Sequence, residues 1–213
     1  MNTLFLTTAA VGMVTLGAAC ATIAPPDAPA PAETDALESA EAPTTDSKLL
    51  TYDGPAEGIP VSAQYPDTME VMGTGSGEGV GVFFTFKPQG NALDDAEVSV
   101  FLPAGVSSTD DLMEFITGPN GLIENNQWTL DGSRSDTATE FAYPWVEMVL
   151  DISTDFEQSG HILIGESNGQ AIQVVILYPA EMADEFWPAA ETVLESMTFD
   201  DELLPVTTSE PAA

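Results

Sequence analysis

Residues 161–177 contain the feature that most constrains the fold, two apolar runs on either side of Asn168-Gly169. Asn-Gly between two such runs favours a type I′ turn, because both central residues of that turn have positive φ. The sequence therefore predicts a β-hairpin with a two-residue loop. The predicted residue pairs are Ser167 with Gln170, Leu163 with Val174 and His161 with Ile176.

This hairpin carries apolar side chains on both of its faces. One predicted face holds Leu163, Ile172, Val174 and Ile176, and the other holds Ile162, Ile164 and Val175. A strand pair that is apolar on both faces has to be covered on both sides. The hairpin is therefore expected at the centre of a sheet rather than at its edge.

Other segments of the chain also have the composition and alternation of β-strands. These predicted strands cover residues 59–65, 69–72, 80–87, 97–102, 127–130 and 141–152. In the last of them, strict alternation puts Val146, Met148, Leu150 and Ile152 on one face. Gly73 to Gly79 leads into a strand rather than a helix, so it is interpreted as a hairpin loop and not as a phosphate-binding loop.

Two predicted helices can cover part of such a sheet. The first begins at a capping box at Ser108, continues with Leu112, Phe115 and Ile116 at helical spacing, and ends before Gly118-Pro119. The second runs over residues 180–196, where Pro188 must kink or restart it. The predicted fold class is α+β, a mainly antiparallel sheet covered by helices on both faces, which is an α/β/α sandwich.

The N-terminal segment has the pattern of a secretory signal. An apolar stretch over residues 4–16 is followed by small residues and by Cys20, the single cysteine of the chain. A cysteine in this position is what lipoprotein processing acylates, so Cys20 is the predicted lipidation site and palmitate an expected modification. The alternative is ordinary signal-peptidase cleavage at the A-x-A site Ala19–Ala21, which would give a protein secreted to the periplasm.

Composition divides the chain into four predicted parts. These are a lipoprotein-type signal peptide at 1–19, a disordered acidic Pro/Ala-rich tether at 20–47, an α+β domain at 48–200 and a disordered tail at 201–213. The tether has almost no large apolar side chains and therefore cannot bury enough surface to offset its ordering entropy. It would hold the domain away from an anchored Cys20.

Basic residues are nearly absent from this chain, which has 35 Asp+Glu against 3 Lys+Arg. Phosphate backbones and anionic lipid headgroups would be repelled, so nucleic acid is excluded as a partner and membrane contact must come from an anchor. A salt-exposed compartment would screen the self-repulsion. The competing interpretation is a surface that meets cations or a basic partner.

No set of residues with the spacing of a catalytic site is present, and the chain is expected to be neither an enzyme nor a cofactor-binding protein. His161 is the single histidine, so it is interpreted as a core or rim residue. The acids from Asp151 to Glu157 faintly resemble a calcium loop but lack its turn glycine. Tyr143 and Trp145 are candidates for a partner-binding patch.

Two parts of the sequence are similar to the PsbP-like domains. Near the start the similarity lies in the strand at 59–65, Tyr65-Pro66 and the strand that follows, and near the end in Asn168-Gly169, Tyr178-Pro179, Phe186-Trp187-Pro188 and residues 191–199. The similarity covers about residues 50 to 199. Within this group, the chain resembles the bacterial envelope lipoproteins of the DcrB and LpqN type.

The resemblance implies an α/β/α fold whose members mostly bind or assist assembly. The basic surface of the photosystem-associated members is absent, so a photosynthetic role is not expected. We therefore expect a non-enzymatic, lipid-anchored protein of the bacterial cell envelope that faces the periplasm or the outside. It would act on an unknown envelope protein in an assembly or scaffold role. The alternative is a module that binds calcium or a small ligand.

Overall fold

Ten strands and three α-helices follow one another in the part of the chain that the structure describes. This computed structural model describes residues 47–87, 96–134, 141–155 and 158–206, all within the unit Thr45–Ala213. The strands are β1 (Leu49–Asp53), β2 (Val61–Pro66), β3 (Met69–Ser76), β4 (Gly79–Phe86), β5 (Glu97–Pro103), β6 (Thr129–Arg134), β7 (Val146–Ser153), β8 (Gln158–Ser167), β9 (Gln170–Pro179) and β10 (Thr198–Phe199). The helices are α1 (Thr109–Thr117), α2 (Leu122–Asn125) and α3 (Ala183–Ser196).

The strands form two antiparallel sheets. The larger sheet has seven strands in the order β3-β4-β5-β9-β8-β7-β6, and the smaller has the order β1-β2-β10. The β8–β9 hairpin occupies the middle of the larger sheet, as its apolar faces predict. Asn168 and Gly169 have φ values of 48° and 75°, as a type I′ turn requires. The three predicted residue pairs are all confirmed.

Each face of the large sheet has its own apolar cluster. Leu163, Ile172, Val174 and Ile176 pack with the buried side of α3, and Ile162, Ile164 and Val175 pack with Leu112 and Ile116 of α1. The division of the hairpin into two faces is therefore the predicted one. The α+β class and the mainly antiparallel sheet are confirmed, whereas coverage of both faces by helices is not confirmed.

A bulge in β7 changes the face of one predicted residue. The pairing of β7 with β8 shifts between Val146 and Met148. Val146 consequently packs in the α3-side cluster, while Met148, Leu150 and Ile152 belong to the other cluster. The prediction of one face for all four residues was wrong for Val146, because strict alternation ignores an inserted residue.

Local signals set the boundaries of several elements. Ser108 caps α1 by accepting a hydrogen bond from the backbone N–H of Asp111. The predicted glycine loop is shorter than expected, because β3 continues to Ser76 and only two residues connect it to β4. Pro188 lies inside α3, which is preceded by a separate 3-10 turn at Ala180–Met182.

The C-terminal segment packs against the domain as far as Val206. Leu204 is buried, and the backbone N–H of Val206 donates to Oε1 of Gln170 at 2.8 Å. Residues 201–206 thus contribute an apolar residue to the core, and the predicted disordered tail at 201–213 stays a prediction. Residues 207–213 lie outside the described part.

Candidate protein-binding surface

The predicted lipidation site has no place in the described structure. Cys20 and residues 21–46 lie outside the described residues. The signal peptide, the tether and the anchor therefore stay predictions. Among the described residues, no helix combines the length and the apolar character that a membrane crossing would need.

Tyr143 and Trp145, the predicted partner patch, stack on each other with ring centroids 6.1 Å apart. Trp145 is only 8% exposed. Its ring packs edge-to-face against the ring of Phe199. Burial raises the pKa of Tyr143 to about 12, with Glu191 and Glu195 of α3 contributing. Trp145 is thus a packing residue here, and a binding role for the pair stays a prediction.

His161 of β8 lies directly opposite Asp151 of β7 in the ladder. Its Nδ1 is 2.8 Å from Oδ1 of Asp151, and its ring lies beside the rings of Phe141, Trp187 and Tyr178. A histidine oriented by a carboxylate is one component of acid–base chemistry. Its mostly aromatic surroundings are typical of a rim histidine that links strands and helix.

This pair also bears on the acids that faintly resemble a calcium loop. Asp151, the first acid of that loop, is bound to His161. Within the described ranges no three side chains of His, Cys, Asp or Glu converge as metal ligands would. Sequence reasoning missed the pair because it requires the register of β7 against β8, for which the sequence offers no signal as clear as Asn168-Gly169.

A second surface lies on the α1 side of the large sheet, at the end away from β6. It consists of Met72 on β3, Phe83 on β4, Phe101 on β5 and Phe115 on α1, which together we call the open face. Met72 is paired with Phe83 across the β3–β4 ladder, and the ring of Phe101 stacks on that of Phe115 at 6.5 Å. Met72 is 63% exposed and Phe115 46% exposed.

Two glycines of β4 make room for the Phe101 ring. A Cβ atom on Gly79 would lie 2.8 Å from Cζ of Phe101, and one on Gly81 would lie 3.5 Å from its Cδ2. The ring therefore lies over β4 at Gly79 and Gly81. Met72 and Phe83 occupy the next position on the same face of the sheet, two residues along β4 from Gly81.

The helical spacing of α1 predicted a buried Phe115, and the structure corrects this. Leu112 and Ile116 are buried in the cluster over β8 and β9, whereas Phe115 lies on the flank of the helix towards β5. A nine-residue helix is too narrow to cover β3, β4 and β5 as well. The alternation of β4 was the sequence signal that could have indicated this surface, because it put Phe83 on the face of the sheet opposite Phe84 and Phe86.

The comparisons with known proteins place the chain in no established family. No protein-family profile matches it, and no curated protein matches it. Among the solved structures that do match is the solution structure of cyanobacterial PsbP (CyanoP) from Synechocystis sp. PCC 6803. The two chains are 16% identical, the match covers 76% of this chain and 98% of CyanoP, and the TM-score is 0.46. The similarity is one of overall chain path, and it says nothing about activity or partners.

Proposed function

We propose that this chain is a non-enzymatic protein of the bacterial cell envelope that acts by binding another protein, in an assembly or scaffold role. The open face carries the proposal. In a chain with 35 acidic residues, large apolar side chains that stay exposed on one face of a sheet mark an interaction site better than scattered single ones do. Met72, Phe101 and Phe115 supply the methionine and aromatic side chains that are enriched in interface cores.

Attachment to a membrane through Cys20 is the second part of the proposal. It is supported by the apolar stretch at 4–16, by the small residues before Cys20 and by the Pro/Ala-rich spacer after it. One acyl chain binds a membrane only marginally, so stable anchoring would need the several chains that lipoproteins carry. By sequence resemblance, the protein would be an envelope lipoprotein of the DcrB and LpqN type.

The proposal includes the absence of an enzymatic role. Its support is the environment of His161, whose ring neighbours are aromatic and whose Nδ1 is engaged by Asp151. A hydrolytic mechanism would need a nucleophile within hydrogen-bond reach of the imidazole. Loss of a measurable activity in a His161→Asn variant would contradict this part of the proposal.

Photo-crosslinking tests the binding role. A photoreactive amino acid is placed at Met72 or Phe115, and at Leu130 of β6 as a matched control that is 44% exposed on the far edge of the same sheet. We expect one discrete crosslinked species in envelope fractions from the first two positions and none from Leu130. Equal crosslinking at all three positions would mean that the open face is not a specific surface.

Intact mass tests the anchor separately. The mature protein from a membrane fraction should have the mass of a chain that begins at Cys20 plus acyl chains. Cys20→Ala should abolish this mass and release the protein from the membrane. An unmodified soluble chain that begins at Thr22 would show instead that the protein is secreted to the periplasm.

A further inference from the structure

We propose that the outer edge of β3 is a strand-addition site for an extended, lysine- or arginine-bearing segment of another protein. This inference rests on the proposed binding role and names its geometry and its partner class. The segment would pair with the backbone of β3 and place alternate side chains beside Met72 on the open face. Strand addition of this kind takes its affinity from main-chain hydrogen bonds and its specificity from alternate side chains.

The direction of the backbone groups of β3 follows from its neighbours. The N–H of Phe86 donates to Ala96 on the β5 side, whereas the N–H of Lys87 donates to Thr68 on the β3 side. These directions alternate along β4. The backbone N–H and C=O groups that face β3 are therefore those of Thr85, Phe83, Gly81 and Gly79. Their partners are Glu70, Met72, Thr74 and Ser76.

The intervening residues of β3 therefore direct their N–H and C=O groups outward. Those residues are Val71, Gly73 and Gly75. Within the described ranges no strand follows β3 on that side of the sheet, and no backbone or side-chain group there bonds to these three residues. Two of the three are glycines, which let another backbone approach closely.

The other sheet edges are protected in ways that β3 is not. β10 has two residues and β1 has five, and the β6–β7 ladder is interrupted by an irregularity between Leu130 and Gly132. β3 pairs over eight residues without a register shift and contains no proline. Shortness, bulges, prolines and charges are the devices that normally block pairing at an edge, and β3 has one charged residue, Glu70.

Charge selects the class of partner. Glu57 and Glu78 are exposed beside β3, whereas Glu70 on β3 is already paired with Lys87, which follows β4, at 2.6 Å. A second copy of this chain, with its own net charge of −32, would bring like charges together. A segment with basic residues at positions that face these carboxylates would gain attraction and faster association.

A synthetic peptide, Thr-Lys-Val-Lys-Val-Lys-Val-Lys, serves as the probe, and its binding to the folded domain is measured by calorimetry at low salt. Two peptide controls replace every Lys by Glu, or methylate alternate backbone nitrogens. The protein variant is Gly75→Pro, which removes an outward N–H without touching the β3–β4 ladder. Its matched control is Gly75→Ala, where the nearest atom to the added Cβ is Cγ1 of Val80 at 3.7 Å.

We expect Gly75→Pro and backbone methylation each to weaken binding by about tenfold or more, with Gly75→Ala close to the parent. The amide protons of Val71 and Gly73 should gain protection from hydrogen exchange in the complex. Binding that is unchanged in Gly75→Pro would overturn strand addition. Equal binding of the Glu peptide, or concentration-dependent dimerisation without peptide, would overturn the basic partner.

The two proposals can fail separately. Crosslinking at Met72 and Phe115 that persists in Gly75→Pro would leave the binding role intact and refute the edge of β3 as its site. If the crosslinks do not form in the parent background and the parent protein does not bind the peptide, the binding role itself is refuted.

Discussion

Two glutamines three positions apart on β9 show how differently one side chain type can be used. Gln170 is fully buried, and its Nε2, which has two protons to donate, lies 2.9 to 3.2 Å from the carbonyl oxygens of Pro103, Val106 and Ala171. Gln173 is 5% exposed, and its Oε1 is buried without a hydrogen-bond partner. The first side chain joins three segments of the chain, whereas the second carries an uncompensated desolvation cost.

The same substitution at both positions should therefore have opposite effects. Gln170→Met removes the hydrogen bonds from Nε2 and the acceptor of the Val206 N–H, and should lower the free energy of unfolding by about 2–4 kcal/mol. Gln173→Met removes an unsatisfied acceptor and should leave that free energy unchanged or raise it by about 1 kcal/mol. Urea denaturation of the two variants measures both values. Equal destabilisation would contradict the assigned hydrogen bonds.

The phenol groups of Tyr52 and Tyr143 should make the folded protein less stable at alkaline pH. Burial raises the pKa of each phenol to about 12, and Tyr52 is further held neutral by Glu57, whose Oε2 accepts a hydrogen bond from its hydroxyl at 3.3 Å. Between pH 10 and 12 the unfolded chain gives up these protons while the folded one keeps them. The free energy of unfolding should therefore fall as pH rises through this window.

Denaturant unfolding at several alkaline pH values measures this slope. Tyr52→Phe and Tyr143→Phe should each make it shallower, because phenylalanine does not titrate. A slope that persists undiminished in the double variant would assign the effect to other groups.

At the scale of elements, the bulge in β7 depends on a glycine in the neighbouring strand. A Cβ atom on Gly165 would lie 1.6 Å from the carbonyl oxygen of Trp145, while the N–H of Glu166 donates to that same oxygen at 3.2 Å. The close approach of β7 to β8 at this point is possible only without a side chain. The bulge at this point also sets the face of the sheet on which Val146 packs.

Gly165→Ala should accordingly be strongly destabilising, by about 3 kcal/mol or more, because the backbone itself has to move. Gly77→Ala is the control, since a Cβ atom there has no neighbour within 4 Å. It should change the melting temperature little. A well-folded Gly165→Ala variant with unchanged stability would show that the bulge can relax.

Sequence reasoning was most successful where the signal was local. The Asn168-Gly169 turn fixed the register of β8 against β9, and Ser108 correctly marked the start of α1. It failed at Val146 and Phe115, because a bulge and the finite width of a helix depend on neighbours that are distant in sequence. The open face and the unpaired edge of β3 depend on the strand order of the whole sheet, which no local pattern specifies.

At the scale of the whole molecule, a net charge of −32 makes stability depend on salt. The described structure relies on two apolar clusters and on ladder hydrogen bonds, which salt does not weaken. The repulsion among carboxylates is reduced as the Debye length shortens to about 3 Å at 1 M salt. Folding should therefore become more favourable as salt is added.

We expect the melting temperature to rise with sodium chloride and to level off at molar concentration. Calcium chloride at the same ionic strength distinguishes screening from a specific site, which would stabilise the folded state further and saturably. Identical curves for the two salts would contradict the calcium-binding alternative. A melting temperature that does not depend on salt would contradict the effect of self-repulsion.

The strand order also determines when this protein can fold. β9 lies between β5 and β8, so β5 lacks its inner neighbour until β9 has been made. Gln64 of β2 bonds to Ser196 of α3, 132 positions away in sequence. Contacts this distant make folding slow. Until β9 has been synthesised, the large sheet therefore stays in two unjoined parts, β3-β4-β5 and β8-β7-β6.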